Sequence, residues 1–168
     1  MVSDVANRGT AQGGRAWAAL VGFLLAVYAV AAVGALASAD AGTVYTALDL
    51  PPWAPPAWLF GPVWTVLYAT IGVAAWLVWR RQAAAGRKPA LVWWAVQLAL
   101  NLGWTPLFFG LGEYGAALVE ILLLVAATSL TILYFRRVSR AAALLLVPYL
   151  GWVCFATALN AAIWAANG

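Results

Sequence analysis

The stretch LDLPPWAPPAWLFGPVWTVLY, residues 48–68, sets Pro51, Pro52, Pro55 and Pro56, interleaved with Trp53 and Trp58, directly ahead of an apolar run that opens at Gly61. Proline fixes φ and donates no backbone hydrogen bond, so residues 51–56 read as extended chain and turns. The run from Gly61 to Trp79 has the length of a membrane span, since a hydrocarbon core of about 30 Å takes about 20 apolar residues. A stiff aromatic loop feeding a span is the local pattern, and the rest of the chain repeats the span. Runs at 17–39, 61–79, 89–109, 115–134 and 141–166 predict an all-α membrane protein, a bundle of five transmembrane helices. Composition agrees: 66% of the 168 residues are hydrophobic and 8% are charged, far from the balance of a water-soluble domain. The expected organisation is a polar N-terminal tail over 1–16, then one transmembrane domain over 17–168, with residues 40–60 as the single long loop. Arg8, Arg15 and "ALASA" at 35–39 have the look of a cleavable leader, but the apolar run between them exceeds the usual 7–15 residues or so and reads as a retained span.

Charge sets the expected orientation. In a five-span arrangement Arg8, Arg15, Arg80, Arg81, Arg87, Lys88, Arg136, Arg137 and Arg140 all fall on one side, cytoplasmic by the positive-inside rule. Asp40, Asp49 and Glu113 fall on the other, with the 40–60 loop. The net charge of +4 then reflects topology and contact with anionic membrane lipids, and no nucleic-acid partner is expected. There is no histidine, which removes the commonest metal ligand and the commonest general base together. The single cysteine, Cys154, lies within the last span and supplies no disulfide framework.

Eleven tryptophans need explaining. Trp17, Trp76, Trp79, Trp93 and Trp94, close to the basic ends, suit the aromatic belt at a membrane interface, and Trp164 suits the belt opposite. Trp152 falls near the middle of the last span, where a belt role is unavailable and the indole N–H wants a partner. Gln97, Asn101 and Trp104, at i, i+4 and i+7, share one face of the third span. Almost opposite run Ala95, Ala99 and Gly103, a small-residue ladder that lets a second helix approach closely and predicts a homodimer contact. Trp64 and Tyr68 on the second span, Asn101 and Trp104 on the third, Glu120 on the fourth, and Trp152, Ala156 and Asn160 on the fifth gather toward the acidic side. Together they predict an aromatic pocket with a few amides and one acid, suited to a large, flat, mostly apolar ligand. The proline-rich loop lies at its mouth as a lid, or as an interfacial anchor through Trp53 and Trp58.

These residues resemble the translocator proteins, also called tryptophan-rich sensory proteins or peripheral-type benzodiazepine receptors. The resemblance rests on "WAPP" (53–56), "GPVWTVLY" (61–68), "QLALNLGWTPLFFG" (97–110), "ALVEILLL" (117–124), "VPYLGW" (147–152) and "FATALN" (155–160). It implies a five-helix bundle, usually dimeric, that binds porphyrins and synthetic lipophilic ligands in a pocket closed by the first loop. The positions implied for that pocket are Tyr45, Trp53, Trp64, Tyr68, Asn101, Trp104, Trp152 and Ala156, with Gln97, Glu120 and Asn160 as further polar candidates from the residues themselves. Trp64 and Trp152 match the tryptophans associated in some bacterial members with light-dependent porphyrin breakdown. In animal members a sterol-recognition pattern closes the last helix; here "LNAAIWAANG" (159–168) has Ala161 and Ala165 at its key positions, so sterol binding by that motif is not expected.

The expected function is a membrane receptor or sensor of tetrapyrroles, with porphyrin or haem as ligand, no required cofactor and no resident metal. A porphyrin-degrading photo-enzyme and a transporter of tetrapyrroles or sterols are the alternatives. The first lacks an acid–base pair or cofactor motif, and the second lacks an inverted repeat.

Overall fold

The computed structural model describes the backbone of residues 2–168 and the side chains from Gly13 onward. Among the described residues it is helical with no strand: α1 (Val2–Ala37), α2 (Ala41–Ala47), a 3-10 turn (Ala57–Leu59), α3 (Phe60–Trp79), α4 (Arg87–Thr105), a π-helical turn (Pro106–Gly110), α5 (Tyr114–Val138), α6 (Arg140–Leu145) and α7 (Val147–Asn167). The backbone expected to form a tail over 1–16 continues α1 from Val2; the side chain of Arg8 lies outside the described residues.

Among the described residues, four helical stretches are long and apolar enough to cross a membrane: Gly13–Ala37, Ala57–Trp79, Tyr114–Val138 and Arg140–Asn167. The protein is therefore an all-helical integral membrane protein. α4 does not reach that apolarity, because Gln97 and Asn101 sit in its middle. Both are buried, turned from lipid into the bundle. In contrast, Leu25, Leu36, Val66, Leu122 and Leu144 are exposed, as lipid-facing side chains should be.

Proline and glycine punctuate the chain. Pro106 has no N–H to continue α4, and the backbone widens into a π turn in which Leu111 N donates to Pro106 O at 2.9 Å. Gly112, at φ 67°, then turns the chain into α5. Ser139 separates α5 from α6, and its Oγ accepts from Ala142 N at 3.4 Å. α6 and α7 are segments of one span, broken around Leu146 ahead of Pro148.

α1 packs along α3 and α4, α4 along α5, and α5 along α7, while α6 closes the ring against α3. The main core gathers Ile71, Ala74, Val78, Leu124, Phe135 and Tyr149. A smaller cluster under the long loop joins Tyr45, Phe108, Ala117, Leu159 and Ile163.

The aromatic belt is only partly as expected. Trp76 donates to Ala16 O at 2.8 Å and lies under the Arg80 guanidinium, 4.6 Å from its ring centre. Trp93 stacks on Tyr134. Trp94, however, is a core residue: it is buried, Phe23 meets it edge-on, and its indole donates to Ile71 O at 3.2 Å. Adjacent helical positions point about 100° apart, so Trp93 and Trp94 could not both face the interface.

Candidate ligand-binding site

Inside the bundle, toward the α2 end, lies a cavity of about 510 Å³, a size typical of small-molecule sites. Trp64 and Tyr68 of α3, Asn101 and Trp104 of α4, and Trp152 and Ala156 of α7 form much of its wall. Tyr45 of α2 and Phe60 form its end.

A chain of hydrogen bonds sets the wall. Tyr68 Oη donates to Asn101 Oδ1 at 2.6 Å, and Asn101 Nδ2 donates to Tyr149 Oη at 3.1 Å. One amide thus ties α3, α4 and α7 at a single level. Trp104 Nε1 donates to Asn160 Oδ1 at 3.1 Å, and Asn160 Nδ2 donates to Tyr114 O at 2.9 Å, which fixes the Trp104 ring across α4, α5 and α7. Trp64 packs against Tyr68 and Tyr149. Trp152 is held between Phe60 and Phe155. Its indole N–H is buried and has no hydrogen-bond partner among the described residues.

The loop is tied down at two points. Tyr45 Oη donates to Pro55 O at 2.9 Å. The Asn167 amide accepts from Asp49 N at 3.0 Å and donates to Asp49 O at 3.2 Å, pairing the loop with the end of α7. Burial raises the Tyr45 phenol above its ordinary pKa.

Seven of the eight pocket positions implied by the resemblance meet at this cavity: Tyr45, Trp64, Tyr68, Asn101, Trp104, Trp152 and Ala156. Trp53 does not reach it; it lies half-exposed outside, edge-on to Phe155, and so supports the wall from behind. The further polar candidates also stand behind the wall. Asn160 positions Trp104, and Gln97 donates back to Trp94 O at 2.9 Å. Glu120 has both carboxylate oxygens buried and without a hydrogen-bond partner among the described residues, against α4 at Gly103. Ala95 and Ala99 are exposed on the outer face of α4, whereas Gly103 is half-buried beside Glu120. Cys154 is exposed and off the cavity wall.

The contribution of α1 was missed by sequence reasoning: Tyr28, Ala31 and Gly34, with Ser38 just beyond its end, complete the wall. Their only signal is a tyrosine followed at helical spacing by small residues, which in an alanine-rich span is easily passed over. Phe60, Thr105 and Phe109 also line the cavity.

Fold and cavity together define an all-helical integral membrane protein with an aromatic chamber inside its bundle. Residues 22–165 match the TspO/MBR family. The chain is 39% identical to the human translocator protein over 154 residues, covering 90% of this chain and 91% of that one. It is 42% identical to the tryptophan-rich protein TspO of Archaeoglobus fulgidus over 149 residues (88% and 96%) and 38% identical to the tryptophan-rich sensory protein of Cereibacter sphaeroides over 144 residues (86% and 88%). The chain belongs to the TspO/MBR family.

Proposed function

We propose that this protein is a five-span membrane receptor that binds porphyrins and other flat lipophilic molecules in the chamber. The observation that carries the reading is the chamber wall itself: Trp64, Trp104 and Trp152 around about 510 Å³. Large aromatic faces suit a planar ring system, and few polar groups suffice to orient it. With no histidine in the chain and Cys154 off the wall, the ring is held without either as axial ligand. Titration of the purified protein with protoporphyrin and with haem tests this, and similar affinities for both are expected. A large preference for the iron form that disappears in Cys154→Ala would reverse the reading. Presence of both Trp64 and Trp152 on the wall favours a second reading, light-driven oxidation of the bound ring.

In the five-span arrangement α4 is the remaining span, and the basic segments are cytoplasmic with the long loop opposite. Single cysteines introduced beside Arg87 and at Asp49 should react with an impermeant reagent from opposite sides of a sealed vesicle. Reaction of both from one side would sink the arrangement.

The exposed Ala95 and Ala99 support a homodimer through α4, because small residues allow backbones to approach where dispersion supplies the contact energy. Ala99→Leu should shift the detergent-solubilised protein from dimer toward monomer in sedimentation. An unchanged dimer would move the interface elsewhere.

A further inference from the structure

α1 and α3 touch closely near the middle of α3. At Gly72 an added Cβ would lie 3.0 Å from Leu24 Cδ2 and 3.2 Å from Val27 Cγ2, so glycine is what lets the two helices meet there. Toward the lid end of α3, an added Cβ at Gly61 would have nothing within 4 Å. Along the same stretch α1 offers Tyr28 and otherwise the small side chains Ala31, Gly34 and Ala35 to the cavity wall. Tyr28 and Ala35 of α1 and Gly61 and Thr65 of α3 line the cavity and are themselves exposed, so the seam between the two helices, a wedge there, borders both the chamber and the outer surface.

One hydrogen bond spans the wedge. Tyr28 Oη donates to Thr65 O at 3.0 Å; both residues are exposed and both line the cavity. The lid end is held by more: the Tyr45–Pro55 bond, the two Asn167–Asp49 bonds and the packing of Trp53 on Phe155. A ligand leaving past the lid must break all of these, whereas one leaving between α1 and α3 meets, among the described residues, the Tyr28–Thr65 bond and the tilted Tyr28–Tyr68 ring contact, both made by Tyr28.

We propose that the wedge between α1 and α3 is a lateral portal, that the ligand reaches the chamber from the bilayer and not from water, and that the Tyr28 hydroxyl is the latch. This rests on the reading of the chamber as a site for flat lipophilic molecules. It narrows that class to molecules that dissolve in the hydrocarbon layer, where partitioning concentrates them beside the opening.

Stopped-flow mixing with protoporphyrin preloaded into nanodisc lipid tests the route. For the wild type the association rate should follow porphyrin per lipid at constant aqueous concentration; a rate that follows the aqueous concentration alone would overturn the portal. Tyr28→Phe keeps the ring and removes the bridging hydroxyl. It should raise association and dissociation together by about three- to ten-fold, the weight of one hydrogen bond on the barrier. A rise in dissociation alone would make Tyr28 an ordinary wall contact and also overturn the proposal. A second measurement needs no ligand: a nitroxide on Ala35→Cys, in a Cys154→Ala background, reports which phase enters the wedge. Broadening by lipid-soluble oxygen should exceed that by a water-soluble nickel chelate, and the reverse order refutes the portal. Absence of any porphyrin binding by the wild type would instead remove the functional reading, while the nitroxide result still decides the route.

Discussion

Asn101→Leu is expected to destabilise the bundle by about 2–5 kcal/mol, one of the largest losses available to a single substitution in this chain. Leucine approximates the shape of asparagine but neither accepts from Tyr68 nor donates to Tyr149. Both phenols then lose a partner in the bundle interior, and each buried polar group left without one costs about 1–3 kcal/mol. Unfolding in mixed micelles of increasing sodium dodecyl sulfate, followed by tryptophan fluorescence, measures the change. Tyr68→Phe, which removes one donor and leaves Asn101 its bond to Tyr149, should lose less than half as much. A loss below about 1 kcal/mol for Asn101→Leu would show that the three helices are joined by packing alone.

The second large effect is kinetic. If the chamber performs photochemistry on its ligand, Trp152→Phe should slow light-driven loss of porphyrin absorbance by about ten-fold or more, equivalent to about 1.4 kcal/mol on the barrier. Trp152 sits on the wall between Phe60 and Phe155, and phenylalanine is much harder to oxidise than indole. Binding should suffer less, because aromatic stacking beyond area burial is worth only about 0.5–1.5 kcal/mol. Wild type and variant illuminated in air at equal porphyrin occupancy separate the two effects. Equal bleaching rates would take Trp152 out of the chemistry and leave the simple receptor.

How much of this was legible in the sequence differs from helix to helix. α3, α5 and the α6–α7 span announce themselves by length and apolarity. The face of α4 that bears Gln97, Asn101 and Trp104 could be read because amides in an apolar span have few physical excuses. Reading which neighbours they meet was beyond periodicity: Gln97 turns back to its own helix, Asn101 reaches Tyr68 and Tyr149, and Trp104 is held by Asn160. The share of α1 was nearly invisible, since alanine and glycine look the same whether they face lipid or a chamber. Trp53, implied for the pocket, does not line the cavity. Trp53 meets Phe155 of α7, while Tyr45, Ala57 and Phe60 of the same loop reach the cavity.

The polarity of the middle of α4 also bears on how the chain is made. In the five-span arrangement, a segment carrying buried Gln97 and Asn101 partitions poorly from the translocation machinery into lipid by itself. α5 is long and apolar, follows after the turn at Gly112, and packs along α4. The two are then best delivered to the bilayer as a hairpin, with α4 waiting at the ribosome's exit partner until α5 has been synthesised. Biogenesis would in that case be least tolerant not of changes in α4 but of polar substitutions in the outward face of α5.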